Sequence, residues 1–337
     1  MTDGSSMRER TMIAYGPVPS RRLGRSLGIN NIPPKICTYS CVYCQLGRTR
    51  RLEAEPRSFY DPEKVRDAVA DKLESAGRVG ETVDYLTFVP DGEPTLDIRL
   101  GEEIDLLRSA TNKKIAVITN GSLIRLDGIR ENLKKADWVS VKIDSVQEAS
   151  WRKINRPHRS FRLDEILDGI VAFAETYRGK LVTETMLVRG LNDDEDSLRS
   201  LSRFVRRLTG TTCYVSVPIR PPAEKRVQVP TEAALLRAYQ ILCEDVEDVE
   251  FLIEYEGNVF AFTGSVEKDL LGITAVHPMR EEAVRDLLGK AGTDWSLVDR
   301  LIDKGVLIQK QYHGTSFYIR SLSGYRKTDM PPDGSAI

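Results

Sequence analysis

The segment 137-DWVSVKID-144 alternates residue by residue, putting Val139, Val141 and Ile143 on one face and Ser140, Lys142 and Asp144 on the other. Such period-two alternation marks a β-strand, because successive side chains leave an extended chain on opposite sides. A lysine and an aspartate on the inward face of a buried strand cost free energy unless they are paired or used. The same alternation groups Glu184 with Met186 and Val188 along 181-LVTETMLV-188. It groups Tyr214, Ser216 and Arg220 along and just beyond 212-TCYVSVPI-219. Polar residues recurring on one face of several strands point to a lined site rather than a dry core.

Outward from these strands the rhythm continues. Strands are expected at 26–31, 83–89, 114–119, 137–144, 181–188 and 212–219, with helices at 62–77, 99–111, 126–135, 163–177, 194–208 and 231–245. Helices of three or four turns are the crossovers that parallel strands require. Six such units predict an α/β fold, a partial (β/α)6 barrel over residues 20–262 preceded by an N-terminal extension at 1–19. In such a barrel the working residues lie at the carboxyl ends of the strands. Beyond residue 262 the pattern changes: 280-REEAVRDLLGKAG-292 and 294-DWSLVDRLIDKG-305 read as helices closed by glycine, and 306-VLIQKQY-312 with 316-SFYIRSL-322 as a hairpin. That order predicts a winged-helix-like domain over 263–325 and a flexible tail at 326–337.

A chain of 337 residues, 41% hydrophobic, accommodates a barrel plus a smaller module. It has no run of about eighteen apolar residues, and no apolar segment follows the opening MTDGSSMRER. Neither a membrane span nor a secretory leader is expected, and the expected location is the cytoplasm. The net charge of −1 gives no global pull toward polyanions, yet residues 1–57 hold ten Lys/Arg against four Asp/Glu. Arg21, Arg22, Arg25, Arg48, Arg50 and Arg51 flank the run 37-CTYSCVYC-44, so an anion-binding rim is expected there. Residues 268–337 are nearly neutral, with ten basic and nine acidic side chains, and the second helix carries Asp294, Asp299 and Asp303 against Arg300 and Lys304. Sequence-specific DNA binding is therefore not expected, and docking on the barrel or on a protein partner is.

The run at 37–44 holds three of the five cysteines at spacing C-x3-C-x2-C. Thiols this crowded suit a metal better than a disulfide. Cys213 and Cys243 stand alone and read as ordinary buried thiols, while His158, His277 and His313 are too scattered to complete a structural zinc site. Three thiolates leave one position of a four-iron cluster open.

With an aromatic residue before its last cysteine, the run resembles the signature of the radical S-adenosylmethionine (SAM) superfamily, matched here by Cys37, Cys41, Tyr43 and Cys44. The segment 91-DGEPTL-96 resembles the family's Gly-Gly-Glu motif, with Gly92 and Glu93 in register and Asp91 in place of the first glycine. Likewise 118-ITNGSL-123 is similar to its Thr-Asn-Gly. The segment 186-MLVRGLND-193 loosely resembles G-x-I-x-G-x-x-E, with Val188, Gly190 and Asp193 in register. The flanks 15-YGPVPSRRLGRSLG-28 and 43-YCQLGRT-49 look most like a prokaryotic radical SAM group loosely related to wybutosine-type tRNA enzymes.

The resemblance covers roughly residues 20–260. It implies a 4Fe-4S cluster on Cys37, Cys41 and Cys44, with SAM chelating the open iron. It further implies SAM contacts from Tyr43, Gly92, Glu93, Asn120, Ser140, Lys142, Asp144, Glu184, Val188 and Val217. Tyr43 and Val188 would meet adenine, Glu93 the methionine amino group, and Lys142 or Asp144 the ribose or carboxylate. Candidates for contact with the substrate are Lys142, Arg189 and Arg220. The implied activity is oxygen-sensitive reductive cleavage of SAM to a 5′-deoxyadenosyl radical. An electron donor such as ferredoxin or flavodoxin would feed it, and the substrate is expected to be anionic, a nucleotide or RNA. The alternative is an activase or maturase acting on a protein or peptide. A non-catalytic iron-sulfur regulator is the remoter reading, because a sensor needs no polar barrel interior. With no second cysteine cluster and no cobalamin-type segment visible, an auxiliary cluster and B12 chemistry are not expected.

Overall fold

Proline and glycine in 14-AYGPVPS-20 make that segment read as loop, yet an edge strand tolerates proline, and β1 (Ala14–Ser20) pairs antiparallel with β2 (Gly24–Ile29). The computed structural model describes residues 12–253 and 257–321. Two short strands, β3 (Ile36–Cys37) and β4 (Arg51–Leu52), pair in parallel on either side of the cysteine loop. The alternating part follows as α1 (Pro62–Arg78), β5 (Tyr85–Phe88), α2 (Leu100–Ala110), β6 (Lys114–Thr119), α3 (Asp127–Leu133) and β7 (Trp138–Lys142). It continues through α4 (Glu148–Asn155), α5 (Leu163–Thr176), β8 (Lys180–Met186), α6 (Glu195–Val205), β9 (Thr212–Ser216), α7 (Glu232–Asp245) and β10 (Val249–Leu252).

These strands form one open sheet in the order β1-β2-β5-β6-β7-β8-β9-β10, parallel throughout except for β1. The six expected strands are its centre, and the six expected helices are all present within a few residues of their expected ends. The additions are at the edges. β1 draws on residues expected to be an extension, and β10 is too short to announce itself.

Outward faces of the strands pack on the helices around Leu27, Leu86, Phe88, Val117, Val139 and Val141, all fully buried. Inside the sheet sits a smaller cluster of Leu23, Ala116, Trp138, Val182, Tyr214 and Leu252. The turn between β1 and β2 closes this end: Arg21 donates to the Leu252 carbonyl of β10, tying the two open edges together. Next to it, Arg22 runs between the rings of Trp138 and Tyr214, 5.8 Å from each centroid, and pairs with Glu184.

The C-terminal unit contains α8 (Val266–Val276), β11 (Met279–Arg280), α9 (Glu281–Lys290), α10 (Ser296–Asp303), β12 (Leu307–Tyr312) and β13 (Thr315–Arg320). Its three strands form a separate sheet in the order β11-β13-β12 over its own core, which includes Ile273, Met279, Leu287, Val298 and Leu307. The expected helices and hairpin are there, and α8, which carries a glycine among β-branched residues, is the element that sequence reading missed. It packs on β1 at Gly272, where a Cβ would stand 2.1 Å from the sulfur of Met12. A buried ion pair of 2.6 Å between Lys72 of α1 and Asp269 fastens the same helix to the barrel. The expected tail at 326–337 and the first eleven residues lie outside the described residues. Among the described residues no helix is long and apolar enough to cross a membrane.

Removing Arg22 leaves the buried Glu184 carboxylate with only Lys142, at 3.4 Å, to offset its charge. Arg22→Met is therefore expected to lower stability by about 3 kcal/mol, read as a fall in the urea midpoint at unchanged slope. A loss below about 1 kcal/mol would mean that water already screens the pair.

Candidate active site

The cysteine loop contains little regular structure, so its shape must come from what it bonds to. On one side, Ser40 and Val42 donate to the carbonyls of Asn155 and Ile154, both at 2.9 Å, and His158 donates to the Thr38 carbonyl at 2.9 Å. Residues 154–158 therefore run against residues 38–42 as a strap. Arg156, in a left-handed conformation at φ 45°, ends α4 and turns the chain into it. On the other side Lys35 donates to the Asp91 carbonyl at 2.7 Å and Glu93 to that of Ile36 at 3.3 Å. At Gly92 a Cβ would stand 1.9 Å from the Ile36 oxygen, so only glycine permits this approach. Burial pushes the Asp91 carboxyl up to about 6, opposed by Lys35 at 3.2 Å.

Held this way, Cys37, Cys41 and Cys44 all line a cavity of about 310 Å3. Burial raises all three thiols, Cys41 to about 12, so in the bare loop they carry their protons. No group of three His, Cys, Asp or Glu among the described residues is gathered closely enough to grip a single ion, these three included. Ligands of a multi-iron cluster stand farther apart than those of one ion, and an all-thiol set on one loop suits such a cluster. The residues present fit that group.

Below the cysteines the interior is a column of alternating charge. Glu184 accepts from Arg22, from Lys142 at 3.4 Å and from Ser216 at 3.2 Å. Its burial alone would raise its pKa, but Arg22 and Lys142 hold it well below the usual carboxylate range. The Lys142 ammonium lies 4.8 Å from the Tyr43 ring centroid, and the Tyr43 hydroxyl donates to Asp144. At the mouth, Arg220 bonds Gln45 and His277, both at 2.8 Å, and burial followed by Arg220's charge keeps the His277 imidazole neutral.

Of the residues expected from the sequence, Tyr43, Gly92, Glu93, Asn120, Lys142, Glu184, Val217 and Arg220 line the cavity. Four do not. Ser140 is fully buried deeper in the sheet, its hydroxyl without a partner among the described residues. Asp144 sits behind Tyr43, accepting from Asn155 at 2.6 Å and from the Met186 backbone at 2.8 Å. Val188 packs with Val42, Tyr43, Ile154 and Val227 under the loop. Arg189 is exposed beside Gln228. Strand alternation put Ser140, Asp144 and Val188 on a face but could not say how far down the barrel the open space reaches.

Glu93 reaches the cavity wall, but its carboxylate already accepts from Thr95 and Thr119 hydroxyls at 2.6 Å, from the Thr95 amide at 3.1 Å and from the Asn120 amide at 2.7 Å. It organises the turn that presents the backbone of Gly92. Of the expected arginine rim, only Arg21 and Arg22 line the cavity. Arg22 lies inside the barrel, Arg25 pairs with Glu81 at its far end, Arg48 pairs with Glu224, and Arg51 with Glu53. Cys213 is buried as expected, whereas Cys243 is exposed on α7. Sequence reading missed Asn155, because the eight-residue helix that delivers it went unrecognised.

The sequence model of the radical SAM superfamily matches residues 31–201. The chain belongs to the radical SAM superfamily. The UPF0026 protein MJ1312 of Methanocaldococcus jannaschii is 44% identical over 322 residues, which cover 95% of this chain and 99% of that one. The UPF0026 protein slr1464 of Synechocystis is 34% identical over 63% of this chain and 77% of its own. Among solved structures, a radical SAM methyltransferase from Sphaerobacter thermophilus superposes with TM-score 0.51 at 17% identity, covering 68% of this chain and 66% of that one, a likeness of fold. As a radical SAM protein this chain is an enzyme whose cofactors are a 4Fe-4S cluster and SAM, and which needs an electron donor.

Gly92→Ala drives a side chain into a backbone oxygen rather than into a flexible neighbour. The expected loss is about 3 kcal/mol in a urea titration, together with a lower iron content after anaerobic reconstitution. Full stability in that variant would show that the contact with Ile36 can open.

Proposed function

We propose that this radical SAM enzyme reductively cleaves SAM and abstracts a hydrogen atom from an anionic substrate, with Cys37, Cys41 and Cys44 as the cluster ligands. The observation that carries the proposal is the convergence of those three cysteines, the Gly92–Glu93 turn and Lys142 on one cavity. When bound, the cluster supplies one electron to SAM, whose sulfonium then breaks to methionine and a 5′-deoxyadenosyl radical. The chain's own task is positioning and exclusion of water, since so strong an abstractor reacts with whatever stands nearest.

In this reading Tyr43 and the Val217 backbone hold the adenine, and the backbone at Gly92, stiffened by Glu93, receives the methionine amino group. Lys142 offers its charge to a carboxylate or hydroxyl, with Glu184 and Arg22 fixing its place from below. Lys142 and Arg220 are the cations best placed for an anionic substrate, and ferredoxin or flavodoxin would serve as the electron donor. We read residues 263–325 as a winged-helix-like domain docked at the mouth. Gln45 donates to the Val276 carbonyl at 3.0 Å and Tyr312 to that of Pro218 at 2.8 Å. Contacts of this kind favour a part in admitting substrate over DNA reading.

Anaerobically reconstituted protein given dithionite and SAM is expected to form 5′-deoxyadenosine, measured by chromatography, while Cys41→Ala forms none above background. Equal yields from the two would remove the proposal.

A further inference from the structure

Two of the three cysteine sulfurs have hydrogen-bond donors already aimed at them. The Cys37 sulfur receives the Tyr39 backbone amide at 3.5 Å and the Asn120 side-chain amide at 3.6 Å. Cys41 receives the Asn155 side-chain amide at 3.5 Å. Backbone donors come with any tight loop, but the two side-chain donors are choices of sequence. Asn155 is the more telling one. It is only 3% exposed and closes α4, and its nitrogen divides its two hydrogens between Cys41 and the Asp144 carboxylate at 2.6 Å. Its amide orientation is settled by that carboxylate, which accepts only. A helix, a strap of backbone hydrogen bonds and a buried carboxylate thus conspire to keep one N–H on one sulfur.

We propose that Asn155 and Asn120 are positioning residues that set the reduction potential of the cluster by donating to the sulfurs of Cys41 and Cys37. The inference rests on the cluster assignment above and goes beyond it. Reduction adds negative charge that spreads onto the sulfurs, so a donor at a sulfur stabilises the reduced cluster and raises its potential. Both amides act within hydrogen-bond reach of a ligand, and Asn155 does so in surroundings dry enough that water does not replace it. Asn155 ties this setting to the substrate side of the barrel as well, because Asp144 also accepts from Tyr43. A ligand that moves Tyr43 would be felt at Cys41 through three hydrogen bonds.

The test is potentiometric titration of the reconstituted cluster, followed by the electron paramagnetic resonance of its reduced form. Asn155→Leu and Asn120→Leu are each expected to lower the midpoint potential, and the double variant by the sum, since they act on different sulfurs. Asn120 serves as the control for Asp144, whose carboxylate it does not touch. Were donation to a sulfur without effect and the shift at Asn155 only that of a freed Asp144, Asn120→Leu would leave the potential unchanged. A variant that disturbs the loop cannot hide the answer, because the wild type can be read directly. Protein carrying asparagine labelled at its side-chain nitrogen is expected to show hyperfine coupling from that nitrogen in the pulsed spectrum of the reduced cluster. Unshifted potentials at equal iron content, or a wild type without that coupling, overturn this inference alone. A wild type that forms no iron-sulfur cluster overturns the proposed function and this inference together.

Discussion

A carboxylate in the interior of a barrel must be paired or protonated, and Glu184 is paired from both sides. Arg22 reaches it from the β1–β2 turn and Lys142 from the neighbouring strand β7. Much else follows from that constraint. Arg22 can reach Glu184 only if the hairpin closes the lower end of the sheet, which is why β1 belongs to the barrel and is not an appendage. Lys142, drawn toward Glu184, stands over the Tyr43 ring, and Tyr43 in turn meets Asp144. Charge thus alternates from the closed end of the barrel up to the cysteine loop. An interior with this much charge stays ordered because each member is neutralised by the next.

The cysteine loop depends on a different kind of force. Its backbone has few partners of its own, so it borrows them from residues 154–158 on one side and 91–93 on the other. A buried backbone amide without a partner would be costly, and these bonds leave the loop one conformation rather than several. Glu93 contributes to this at one remove. By absorbing four donors it fixes the turn whose glycine lies against Ile36. The strap also explains why α4 matters although its own helix is short: it ends where Asn155 can face a cysteine.

The C-terminal unit has its own core but is not a free passenger. Lys72 and Asp269 anchor α8 to the barrel, while Gln45, Arg220 and Tyr312 make contacts across the mouth. The two units therefore meet beside the cavity. That arrangement suits chemistry in which the reactive species must be kept from water and from wrong donors.

What the amino-acid sequence determined by itself is the central sheet, the helices on it and the identity of the three thiols. Those features rest on local periodicity and on spacing within eight residues, both of which survive without knowledge of the fold. Hydrophobic alternation placed Lys142 and Glu184 inside the barrel, and the family resemblance placed Gly92 and Glu93 at the site. Only the tertiary structure decided which polar residues reach open space and which are spent on one another. Ser140, Asp144 and Val188 share a face with the lining residues but sit outside the cavity, and of the arginines flanking the cysteines Arg25 and Arg48 are drawn to separate carboxylates. Asn155 meets Cys41 across more than a hundred positions of chain. The reason is physical: pairing between charges and donation to a sulfur depend on distances of a few ångströms between remote segments. A one-dimensional pattern carries the residue types for such contacts but not their separation.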